Sequence, residues 1–102
     1  MSWSYYENEV EIWGCARGII QNGKPMGQAI KTLEEATELI DAINRNDRNA
    51  IIDACGDVLV TIIMQCAIQG FTATEALAAA FEQIKDRKGF LTPEGIFIKE
   101  TQ

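Results

Sequence analysis

The residues best placed for chemistry in this chain are carboxylates. Glu35 and Glu38 are spaced i, i+3, and Asp53 and Asp57 are spaced i, i+4. On a helix, each pair shares one face. Glu34 stands beside the first pair. Like charges at these spacings repel, and a carboxylate buried on an apolar helix is costly without a partner. A divalent cation relieves both penalties. Magnesium takes oxygen ligands, usually a few carboxylates with waters and substrate phosphates. The bland alternative is ion pairing of the aspartates with Lys31, Arg45 or Arg48. Histidine is absent, which removes Ser–His and Cys–His nucleophiles, histidine-bound zinc and di-iron sites built on Glu-x-x-His.

Hydrophobic periodicity puts these acids on helices. A first helix is expected from about Tyr5 to Ile20, with Tyr6, Val10, Trp13 and Ile20 as its apolar stripe, closed by the Asn22, Gly23, Pro25 breaker. A second runs from about Gln28 to Asn44, with Ile30, Leu33, Ile40 and Ile43 as a core stripe. A third is N-capped by Asp47 and stopped by Gly70. It is apolar over most of its circumference, so it is expected to be central and buried, with one polar stripe of Asp53, Asp57, Thr61, Gln65 and Gln69. A fourth opens on a capping box, Thr72 to Glu75, turns Leu77, Phe81 and Ile84 inward, and ends at Arg87 and Lys88. The pattern predicts one all-α domain over residues 1–102, a four-helix bundle with a short tail from 90 to 102. A chain this short with so much apolar surface is expected to complete its core by self-association.

Fifteen acids against nine bases leave a net charge of -6. That balance disfavours nucleic acid and anionic membranes as partners, since only the short Lys85 to Lys88 patch is basic. A polyanion could still bind through metal ions. The first residues are polar and acidic, unlike a secretory signal. The apolar stretch from Val58 to Ile68 is interrupted by Thr61 and Gln65 and is short for a bilayer span. Three cysteines without a CxxC pair read as reduced core thiols. A cytoplasmic protein is expected.

Lys31, Glu34, Glu35 and Glu38, followed by Gly56, Asp57, Val58 and Leu59, resemble the MazG-like nucleotide pyrophosphohydrolases. The pattern there is EExxE, a variable spacer, then ExxD. The run from Ile84 to Gly89, with Gly95 to Glu100, is similar to a bacterial and phage branch of that family. The resemblance spans roughly Trp13 to Glu100. It departs at Ala54, where the acid of ExxD would fall; Asp53, one turn from Asp57, is expected to substitute.

The resemblance implies a MazG-like helical bundle that cleaves nucleoside triphosphates between the α and β phosphates. Glu35, Glu38, Asp57 and Asp53 would hold magnesium, with manganese as a substitute. Glu34 or Glu38 would orient or deprotonate the attacking water. Lys31, Lys85, Arg87 and Lys88 are candidates for phosphate contact, although the last three also suit a helix C-terminus. Trp13 could stack on a base and Gln28 could read a base edge. The resemblance further implies homodimers or homotetramers with sites near subunit contacts. Two rivals stay open: a non-catalytic helical interaction or regulatory module with a degenerate metal site, and a metal-dependent hydrolase of another phosphoanhydride.

Overall fold

Local capping sets most of the helix bounds. The computed structural model describes residues 1–100, so the last two residues of the expected tail lie outside it. Helix α1 (Trp3–Ala16) starts where the Ser2 side chain accepts a hydrogen bond from the Tyr5 amide. A single turn, α2 (Ile19–Asn22), follows. Helix α3 (Pro25–Asn44) begins on a proline, whose missing N–H is no loss in the first turn. Helix α4 (Arg48–Gln69) is capped by Asp47 and closed by Gly70 at φ 91°, and α5 (Ala73–Ile84) is capped by Thr72. The chain then forms a small antiparallel hairpin of β1 (Gly89–Leu91) and β2 (Phe97–Lys99).

Helices α3 and α4 are antiparallel and form the most extensive pairing in the chain. Helices α1, α2 and α5 pack against α4. The core sits around Met64, which is 1% exposed, with Ile63, Cys66 and Ala73 and with Val10, Ile19, Ile20 and Val60 against them. Gly14 lets α1 come close, since a Cβ there would collide with Met64 Sδ. A second tie joins α1 to α5. The buried Glu7 carboxylate accepts from the Thr74 amide and hydroxyl, each at 2.8 Å. Trp3 Nε1 donates to the same hydroxyl at 2.7 Å. Glu7 thereby satisfies a free amide at the start of α5 from another helix.

The all-α class holds, with corrections of detail. The first expected helix is two, because Gly18 adopts φ 74° and breaks it. The tail contains the hairpin. The expected core stripe of α3 is not core in this chain: Ile30, Leu33, Ile40 and Ile43 are between 54% and 68% exposed. Leu77, Phe81 and Ile84 of α5 are also exposed rather than turned inward, as are Tyr6 and Trp13 of α1. Cys15 and Cys55 are exposed and only Cys66 is buried. Helix α4 is only partly buried. By length and composition, with a mean hydropathy of 1.9, it would be long and apolar enough to cross a membrane. Asp53 and Asp57 within it are expensive in lipid, and its polar stripe is engaged by α3 as described next.

Candidate metal and nucleotide site

Helix α3 turns a small and polar face toward α4, made of Gln28, Thr32, Glu35 and Ala42, while its isoleucines face outward. The polar stripe of α4 answers it. The Thr61 hydroxyl accepts from Thr32 Oγ1 at 2.9 Å and donates to the Val58 carbonyl at 2.7 Å. Gln28 Nε2 donates to the Thr61 carbonyl at 3.3 Å, and Gln65 Nε2 donates to the Pro25 carbonyl at 2.8 Å. Hydrogen bonds of this kind fix the register of two helices, because a polar group buried without a partner is penalised.

That register brings Glu35, Glu38 and Asp57 together. One carboxylate oxygen from each lies within 4.8 Å of the other two. Glu35 is 9% exposed. Its Oε1 lies 3.5 Å from Lys31 Nζ, but its buried Oε2 takes no hydrogen bond from the described residues. Two of the three acids, Glu38 and Asp57, resist ionisation. A hydrogen bond with Glu35 and the Glu35 charge hold the Glu38 carboxyl above its ordinary pKa. Burial, followed by the charges of Asp53 and Glu35, raises Asp57. Three crowded acids, one with an orphaned buried oxygen, fit an oxygen-seeking divalent cation that would supply the missing positive charge.

Asp57 stands between two cavities. The first, about 500 Å³, is lined by Trp13, Gln28, Lys31, Glu35, Asp57 and Thr61, with Ile19, Val60 and Met64 as apolar wall. The second, about 310 Å³, is lined by Glu38, Asp41, Arg45, Asp53, Ala54 and Asp57. Trp13, Gln28 and Lys31 therefore share a cavity with two of the three clustered acids. Asp53 faces the second cavity and is not one of the three. Glu34 is exposed and paired with Lys31 at 3.1 Å. Ala54 is buried at the position of the missing acid.

Lys85, Arg87 and Lys88 are not brought to the carboxylates. Lys85 pairs with Glu82 at 2.8 Å, and Arg87 and Lys88 line a separate cavity with Gln83, Asp86 and Glu100. The ion-pair alternative for the aspartates is not observed among the described residues. Arg45 reaches Asp47 at 3.7 Å and Lys31 reaches Glu34 and Glu35. Sequence reasoning missed Thr32 as the partner of Thr61, and Arg45 and Asp41 in the second cavity. Thr32 was findable as the i−3 neighbour of Glu35, on the helix face that Gln28, already a candidate, shares at i−7. Arg45 stands seven residues from Glu38 and four from Asp41 on the same face, and the sequence offered it only as an ion-pair partner for the aspartates.

Compared with known families, residues 27–90 match the family model of the MazG nucleotide pyrophosphohydrolase domain. The match covers α3, α4 and α5 and ends at the first strand. No curated protein and no solved structure matches the chain.

Proposed function

The chain belongs to the MazG nucleotide pyrophosphohydrolase family, and from that premise we propose that it hydrolyses nucleoside triphosphates to nucleoside monophosphate and pyrophosphate, with magnesium held by Glu35, Glu38 and Asp57. The observation that carries this reading is the buried, unpartnered Oε2 of Glu35 inside a cluster of three carboxylates. Asp53 adds a fourth negative charge from the neighbouring cavity. Manganese is expected to substitute. The protein would act as a dimer or tetramer on the intracellular nucleotide pool, removing or limiting particular triphosphates.

Bound magnesium would neutralise charge on phosphate oxygens and acidify a coordinated water. The protein's own groups divide the remaining work. Glu38 is exposed, and Glu35 holds its carboxyl above its ordinary pKa, the direction that makes a carboxylate a better proton acceptor. Glu34 acts at one remove, by orienting Lys31. Lys31 lines the first cavity with Glu35 and Asp57, where it can meet the phosphate chain. The low net requirement for covalent chemistry suits a site of acids, a lysine and metal, since phosphoryl transfer depends on positioning and charge neutralisation.

The test is pyrophosphate release from each standard NTP and dNTP with magnesium. Glu35→Gln and Asp57→Asn are each expected to lower it by about 100-fold or more, the scale of losing a major electrostatic group. Orthophosphate as the product would place cleavage elsewhere. Ala54, buried where the family pattern has an acid, favours a second reading as a non-catalytic regulatory module. Failure of every nucleotide to turn over, with manganese as well, would decide for it.

A further inference from the structure

Within the first cavity, one polar group is held in a fixed orientation that nothing in the carboxylate chemistry uses. Gln28 stands two helical turns from Glu35 along α3, a distance of about 10 Å. Its Nε2 donates to the Thr61 backbone carbonyl. A backbone carbonyl only accepts, so this contact decides which way the amide points: nitrogen toward α4 and oxygen away from it. Thr61 is itself held in the α3–α4 contact. It is 4% exposed, and its hydroxyl is tied to Thr32 and Val58. Gln28 Oε1 takes no hydrogen bond from the described residues, and Gln28 is half-buried on the cavity wall.

The surroundings suit a flat ring. Trp13, Val60 and Met64 form apolar walls of the same cavity. Gly27 leaves open space, since a Cβ there would meet nothing within 4 Å. Gln28 lines the same cavity as Glu35 and Asp57, so a ligand whose phosphates meet the acids has its other end in reach of the Gln28 amide.

We propose that this cavity receives the substrate base and that Gln28 selects bases carrying an exocyclic amine, cytosine and adenine, over their carbonyl counterparts uracil and hypoxanthine. The proposal rests on the pyrophosphohydrolase reading of the neighbouring acids. Gln28 Oε1 accepts a hydrogen bond from the amine. A carbonyl in the amine's place sets two acceptors against each other. Flipping the amide to suit that carbonyl only moves the conflict, because Oε1 would then face the Thr61 carbonyl. Selection comes from a side chain denied its usual freedom to rotate.

The experiment is equilibrium binding of the α,β-methylene analogues of CTP, UTP, ATP and ITP with magnesium, which resist cleavage between the α and β phosphates. The wild-type protein is expected to bind the CTP and ATP analogues roughly ten-fold more tightly than their UTP and ITP partners, as for one hydrogen bond gained against one conflict avoided. Gln28→Leu is expected to bring each pair within about two-fold. Equal binding within both pairs, or a preference that survives Gln28→Leu, overturns the proposal whatever the pyrophosphate assay shows. A preference without pyrophosphate release from the parent nucleotides supports the base site and removes the enzyme reading. Should Gln28→Leu lose its helical circular dichroism, Gly27→Leu decides, because leucine favours a helix over glycine. Filling the cavity should weaken all four analogues at least ten-fold, and unchanged binding would put the base elsewhere.

Discussion

Glu35, Glu38 and Asp57 cannot easily carry three charges at once. The pKa values of Glu38 and Asp57 are raised, the first mainly by its hydrogen bond to Glu35 and the second mainly by burial. At mildly acidic pH the folded protein therefore keeps protons that the unfolded chain has released. For groups raised on folding, the stabilisation is complete below the ordinary carboxylate pKa and is lost as pH rises through the raised values. Metal-free protein in chelator is thus expected to melt at a higher temperature at mildly acidic pH than at neutral pH. Magnesium should reverse that order. At one hundred times its dissociation constant it contributes about 2.7 kcal/mol, and it binds only the ionised acids. Thermal melts at two pH values, with and without magnesium, check both halves. A melting point indifferent to magnesium at neutral pH would argue against a metal site at these three residues.

Among the helices, the decisive feature is which face each one turns inward. Helix α3 turns Gln28, Thr32 and Glu35 to α4, and the threonine pair and the two glutamine-to-carbonyl bonds hold the acids in register. Helices α1 and α5 are joined differently, through Glu7 at the N-terminus of α5, where a carboxylate also meets the positive end of the helix dipole. Glu7→Ala removes two charge-assisted hydrogen bonds and orphans the Thr74 amide. It is expected to cost about 2–3 kcal/mol in urea unfolding at fixed protein concentration, with Glu7→Gln costing less than half as much. Pyrophosphate release should survive in the folded fraction, because Glu7 is in neither cavity that flanks Asp57.

The whole molecule exposes more surface than a chain of its size should. Its accessible area is 7733 Å², against about 5,700 Å² for a folded monomer of this mass. Its radius of gyration is 15.8 Å, against about 13 Å. The excess of about 2,000 Å² is the scale of an obligate interface. Much of it is apolar, including Leu33 at 68%, Ile40 at 61% and Leu77 at 64% exposed. Sedimentation at micromolar concentration is expected to find dimers or tetramers. Leu33→Glu with Ile40→Glu should shift the protein toward monomer and lower its melting point by several degrees, in proportion to the burial lost. A monodisperse wild-type monomer would defeat this expectation.

Much of the candidate site was legible from residue spacing alone. Glu35 with Glu38 and Asp53 with Asp57 share helix faces by geometry that needs no tertiary information. The caps at Asp47 and Thr72 and the stop at Gly70 are likewise local, and each appears where spacing placed it. Periodicity also found the apolar stripe of Ile30, Leu33, Ile40 and Ile43, but a stripe does not say what covers it, and none of the described residues does. The break at Gly18 was hidden because the apolar pattern runs on to Ile20, and the hairpin because three-residue strands are too short to show alternation. The tertiary structure decided the rest. It kept Lys85, Arg87 and Lys88 away from the acids, excluded Asp53 from the closest three and anchored the Gln28 amide on a carbonyl 33 residues away. Local spacing assigns residues to a face; only the packing of one helix on another determines which faces meet and which polar atoms remain free for a ligand.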